Sequence, residues 1–129
     1  MNDISIQHEG KRFLLTNRAM SYAIEIADSG TPWNLYWGAP LFRIEDPPSP
    51  RERQCHRHYS PARGAMLYRE LPVFGGDFFD ESALKITWPD GIRESIFLYT
   101  GFEQQGNTLI LNFREKRHPA QLNLIYRLH

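Results

Sequence analysis

A single cysteine, Cys55, stands in 129 residues, so no internal disulfide framework is available. The simplest compartment for such a chain is a reducing cytoplasm, and that is the expected location. Net charge is absent as well: 15 Lys and Arg are balanced by 15 Asp and Glu. This balance offers no global attraction to nucleic acid or to an anionic membrane, and neither is expected as a partner. It also weakens repulsion between copies and so favours self-association. Long apolar runs are missing too, and none approaches the roughly 18 to 20 residues of a spanning helix. The first residues, Met1-Asn2-Asp3-Ile4-Ser5-Ile6, carry neither the basic n-region nor the apolar h-region of a secretory signal. No window of ten or more residues holds a helical stripe. Aromatic residues make up 13% of the chain, which excludes a disordered polymer. The length points to one domain.

The period that is present is two. Tyr22, Ile24 and Ile26 alternate with Ser21, Ala23 and Glu25; Trp33, Leu35 and Trp37 alternate with Asn34 and Tyr36. Leu84 and Ile86 alternate with Lys85 and Thr87, and Leu122, Leu124, Tyr126 and Leu128 with Gln121, Asn123 and Arg127. Each set is placed on one face of a half-buried strand. Turn signals separate the runs. Pro89-Asp90-Gly91 predicts a hairpin between strands over 84–88 and 92–99, Gly106-Asn107 one between 96–102 and 108–113, and His8-Glu9-Gly10 one between 4–7 and 11–16. Short strands at this spacing predict a mostly β protein, an antiparallel sandwich or barrel.

Residues 45–76 break the rhythm. Five prolines (47, 48, 50, 61 and 72) fall there, with arginines at 51, 53, 57, 63 and 69. Connections of this length without periodicity are usually functional or disordered. At the other end, the alternation over 121–128 runs up to the last residue, His129. Strand patterns seldom stop without a tail, so the domain is expected to be incomplete at its C-terminal end.

Candidate chemistry is sparse. In Cys55-His56-Arg57-His58 the two imidazoles would share one strand face, and thiolate plus imidazole suits zinc, but His8, His118 and His129 lie scattered without ligand spacing. A solvated loop without metal is the expectation. Gly75-Gly76-Asp77-Phe78-Phe79-Asp80-Glu81 gathers three carboxylates. Glycoside hydrolysis needs two carboxylates opposed across a sugar, which neighbours on one loop seldom supply, so this reads as a glycine turn of structural role. The arginine-rich loop with Tyr59 and Tyr68 has no stacking-platform motif and is expected to be an interface or solvated loop rather than a nucleic-acid site. Trp33 and Trp37 share a face with Leu35 and are expected in the core; Trp88, beside a turn, is expected to be partly exposed. Phosphate loop, dinucleotide fingerprint, nucleophile elbow and zinc-protease helix are all missing.

Several stretches together resemble the N-terminal domain of glycoside hydrolase family 36, the α-galactosidases (melibiases). They are residues 13–17 leading into Ser21-Tyr22-Ala23-Ile24, then Leu35-Tyr36-Trp37-Gly38, Tyr59-Ser60-Pro61, Glu70-Leu71-Pro72-Val73-Phe74-Gly75-Gly76-Asp77-Phe78, Ala83-Leu84-Lys85-Ile86, Pro89-Asp90-Gly91, Leu98-Tyr99, Thr108-Leu109-Ile110-Leu111 and residues 122–126. The Tyr-Trp-Gly strand combined with the Pro-x-x-Gly-Gly-Asp-Phe loop carries the likeness. The resemblance implies a galactose-mutarotase-like supersandwich over residues 1–129, preceding a catalytic (β/α)8 barrel that this chain lacks. It implies a parent enzyme acting on α-galactosides of the melibiose and raffinose type by a retaining mechanism, without cofactor, and a homo-oligomer, tetrameric in the family. The chain itself is then non-catalytic, supplying oligomer contacts and a loop at the substrate rim. Cys55, His56, Arg57, His58 and Tyr59 are the rim or interface candidates, although His56 stands where relatives place an acidic residue. Gly75, Gly76, Asp77 and Phe78 form the structural loop. A free-standing sugar-binding sandwich, using Trp88 and Tyr59, is the rival expectation.

Overall fold

The computed structural model describes residues 3–48, 70–71 and 82–129. Among these there are seven strands and no helix. β1 (Ser5–Glu9), β2 (Arg12–Thr16), β3 (Ser21–Ile26) and β4 (Pro32–Gly38) form one antiparallel sheet in sequential order. β5 (Phe97–Gln105), β6 (Thr108–Glu115) and β7 (Gln121–Arg127) form a second, also antiparallel. The chain is mostly β, as the period-two patterns anticipated, and of the sandwich and barrel they left open it forms the sandwich that the family resemblance implied.

Tight turns set the registers. Glu9 pairs with Arg12 and Gln105 with Thr108, leaving two-residue loops whose first positions are Gly10 and Gly106, each at φ 57°. With neither Lys11 nor Asn107 at positive φ, these loops have the sign pattern of type II′ turns, whose twist suits a hairpin. Between β2 and β3 the Asn17 side chain accepts from the amides of Ala19 and Met20, a local turn that only Asn or Asp makes well. Gly30 closes the β3–β4 turn at φ 91°; its carbonyl accepts from the Tyr99 amide, and a Cβ there would lie 3.3 Å from Leu98. A side chain at position 30 would thus oppose both the backbone conformation and the contact between sheets.

The two sheets enclose one core. Phe13, Leu15, Ile24 and Ile26 from the first face Phe97, Leu109, Leu111, Phe113 and Leu128 from the second. Phe13 meets Phe102 edge-on at 5.1 Å and Tyr99 at 6.5 Å. A second cluster lies on the opposite face of the first sheet, where Leu14, Ala23 and Leu35 are covered by Leu41 and Ile44. Residues 39–48 act as a strap across that outer face. Pro40, Pro47 and Pro48 cannot donate to a ladder, so side chains of the sheet hold the strap instead. Ser21 Oγ accepts from the Leu41 amide, Thr16 Oγ1 donates to the Leu41 carbonyl, Gln7 donates to that of Phe42, and Arg12 to those of Ile44 and Pro47.

Two details differ from the sequence reading. A register shift at Ala23/Ile24 breaks the alternation of β4, so Leu35 joins the outer cluster while Trp37 projects 74% exposed. Trp37 is therefore not a core residue. The Pro89-Asp90-Gly91 turn forms, with Gly91 donating to the Trp88 carbonyl and Trp88 to that of Ile92, but no regular strands flank it. Its arms are engaged elsewhere: Ile96 donates to the Glu115 carboxylate and the Glu94 carbonyl accepts from the Trp88 indole.

Candidate functional site

Two polar constellations stand out. The first joins the sheets. The Glu70 carboxylate accepts from the Tyr22 hydroxyl of β3 at 2.7 Å and from the Tyr126 hydroxyl of β7 at 2.6 Å. Asn34 of β4 approaches its other oxygen at 3.4 Å, and the Glu70 amide donates to the Pro32 carbonyl. The two tyrosine rings lie 5.9 Å apart, and Tyr22 meets the exposed Trp37 edge-on at 6.3 Å. Burial, then the hydrogen bond and charge of Glu70, push the Tyr22 phenol far above its usual range. Burial, then the charge and hydrogen bond of Glu70, do the same to Tyr126. The phenols are donors locked onto an acceptor, and neither serves as a base near neutral pH.

The second lies at the far end of β6. The His118 ring stacks on Trp88, 4.2 Å between centroids and 5° from parallel. Its Nδ1 is 3.0 Å from Glu115 and its Nε2 2.9 Å from Asp90. Glu115 is almost fully buried and also accepts from the amides of Ile96, Arg117 and His118. Burial works to raise its pKa, but those amide bonds and His118 outweigh it and hold the carboxyl below its usual range. Asp90 is lowered by the Ile92 amide and by His118. His118 is raised, first by its bond to Asp90 and then, against some desolvation, by Glu115.

Neither constellation presents an acid and a nucleophile opposed across an open cleft, since each carboxylate is already taken by protein donors. Among the described residues no cluster of three or more His, Cys, Asp or Glu side chains is arranged to hold a metal ion. Asp90 and Glu115 sit on different ring nitrogens of His118 and do not converge. A recess of about 140 Å³ lies among Lys85, Ile86, Thr87 and Arg93, below the roughly 300 Å³ at which ligand pockets begin.

The sequence-derived candidates Cys55, His56, Arg57, His58 and Tyr59 lie outside the described residues, as do Gly75, Gly76, Asp77 and Phe78. Trp88, named for sugar stacking, is half-buried with one ring face covered by His118 and its N–H bonded to Glu94 and Ser95. The Glu70 and His118 constellations were missed by sequence reasoning. Their members are 48, 56 and 28 positions apart, and no local spacing announces them.

The architecture has solved relatives. The chain superposes on the α-galactosidase from Lactobacillus brevis with a TM-score of 0.73 at 19% identity, over 91% of this chain and 19% of that one. The fold is shared with α-galactosidases. The galactosidase domain of an alpha-galactosidase-sucrose kinase gives 0.71 at 17% identity, over 95% of this chain and 21% of the other. The chain spans about a fifth of the length of these proteins. No protein-family model and no curated protein sequence matches it. At this identity the likeness concerns the fold; among the described residues no helix is long and apolar enough to cross a membrane.

Proposed function

We propose that this chain is the non-catalytic N-terminal β-sandwich domain of a family 36 α-galactosidase-like glycoside hydrolase, of the galactose-mutarotase-like type. The observation that carries the reading is the asymmetry of coverage: nine-tenths or more of this chain matches about a fifth of two α-galactosidase chains. The parent enzyme is a retaining glycosidase of the cytoplasm acting on melibiose- or raffinose-type galactosides as a homo-oligomer, tetrameric as in the family. Within it, this domain supplies subunit contacts and a loop at the substrate rim. Cys55, His56, Arg57, His58 and Tyr59 are the rim or interface residues. Gly75, Gly76, Asp77 and Phe78 shape a structural loop. Loops on a rigid β scaffold are a common place for such binding residues. The carboxylates of Glu70, Asp90 and Glu115, each held by protein donors, support a structural rather than catalytic role.

The test is hydrolysis of p-nitrophenyl α-galactoside by the isolated chain. No turnover is expected. Reproducible turnover that disappears in Asp77→Ala would overturn the reading. The rival, a free-standing sugar-binding module, loses the Trp88 platform to His118. Calorimetry with galactose, melibiose and raffinose at millimolar concentration separates the two: heat of binding by the chain alone favours the rival.

A further inference from the structure

The His118 constellation does more than decorate a turn. β6 ends at Glu115, and the chain then passes through Arg117 and His118 before entering β7. Across from it the 88–92 turn carries Trp88 and Asp90. His118 is the piece that joins the two. Its ring lies flat on Trp88, and its two nitrogens reach carboxylates belonging to the two different segments, Glu115 beside it and Asp90 on the turn. An ionised carboxylate has only acceptors. Both ring nitrogens therefore have to donate, and only the imidazolium carries a proton on each.

We propose that His118 is a pH-sensitive latch, fastening the 88–92 turn to the end of β6 as an imidazolium and releasing the turn when it loses a proton. The two sides of the latch are unequal. Glu115 is held by three backbone amides and its side chain is 1% exposed, whereas the Asp90 side chain is 49% exposed and held otherwise by the Ile92 amide. Neutral imidazole keeps one N–H and turns a lone pair toward the other carboxylate, at a distance that suits only a hydrogen bond. The solvated side gives way: Asp90 swings to water and the Glu115 contact persists. The remaining charged side chains on the packed segments are Arg93 and Glu94 beyond the turn and Lys116 and Arg117 beside His118, of which Glu94 and Arg117 pair with each other at 3.6 Å. Because both ring nitrogens are occupied, His118 is not a catalytic base waiting for a substrate.

The sign follows from the direction of each shift. His118 is raised above its ordinary value of about 6.5. Its contribution is fully present below that value and is lost as pH rises through the raised one. Asp90 and Glu115 are lowered, so their contribution is present above about pH 4 to 4.5 and is lost as pH falls through their depressed values. The latch is closed between these limits.

The experiment is an NMR titration of the His118 ring in the full chain, repeated in Asp90→Asn, with thermal unfolding of both and of His118→Gln from pH 5 to pH 9. A His118 midpoint above 6.5 that falls in Asp90→Asn is expected. So is a Tm advantage of the native chain over His118→Gln that is largest near pH 5 to 6 and shrinks toward pH 9. A midpoint at or below 6.5, or one that Asp90→Asn leaves unchanged, overturns the latch. Should His118→Gln fail to fold, the ring titration in the native chain and in Asp90→Asn decides alone.

Discussion

The two sheets share a core yet treat their outer faces differently. In β2 every residue from Phe13 to Thr16 is buried, whereas β7 alternates exposed and half-buried along its whole length. The first sheet is covered twice, by the second sheet on its inner face and by the 39–48 strap on its outer face. On the outer face of the second sheet Ile125 stays 61% exposed. A strand buried on both faces reads as a continuous apolar run, here Phe13-Leu14-Leu15; a strand buried on one face reads as an alternation, here Leu109, Leu111 and Phe113. The difference between the sheets was thus written in their periods, and the strap explains why the first sheet needed more than one apolar face.

Substitutions separate the two situations. Leu14→Ala empties a fully buried position beneath the strap and is expected to cost about 2–5 kcal/mol in urea unfolding, the range of large-to-small core changes. Tyr126→Phe removes a hydroxyl that donates to a carboxylate between the sheets, and a loss of about 1.5–3 kcal/mol is expected. The same tie makes an alkaline prediction. The Tyr22 and Tyr126 phenols are raised, so their contribution is present below about pH 10 and is lost as pH rises through the raised values. Absorbance of the phenolates should therefore show the Tyr22 and Tyr126 phenols ionising late, and in Glu70→Gln they should ionise earlier. Ser21→Ala leaves the Leu41 amide of the strap without its acceptor, worth about 1–3 kcal/mol. Ile125→Ala at its exposed position should change stability by no more than about 0.5 kcal/mol, like other surface changes. If Leu14→Ala and Ile125→Ala cost the same, the contrast between the outer faces at these two positions is wrong.

Much of the fold was legible and little of the candidate site was. The alternations over 21–26 and 121–128 became β3 and β7, and the Gly106-Asn107 signal became a hairpin with the expected turn chemistry. The reading failed where one residue changed the phase. The shift at Ala23/Ile24 separated Leu35 from Trp37, and no residue type in that stretch marks a bulge. It also failed at 84–88, where Leu84 and Ile86 pack against the core without a regular ladder because neighbouring backbone groups bond to side chains. His118 was visible only as one of several scattered histidines, since its partners come from 3 and 28 positions away.

Local patterning was enough to specify antiparallel strands, tight turns and the absence of any internal disulfide. These depend on side-chain period and on the φ a residue tolerates, both properties of neighbours in the chain. Tertiary structure alone decided that a proline-rich strap would cover one sheet. It alone set Glu70 between tyrosines of opposite sheets, and His118 between two carboxylates on a tryptophan face. Those arrangements rest on hydrogen bonds and ring contacts between segments far apart in sequence, where nothing in the spacing of residues records the distance between them.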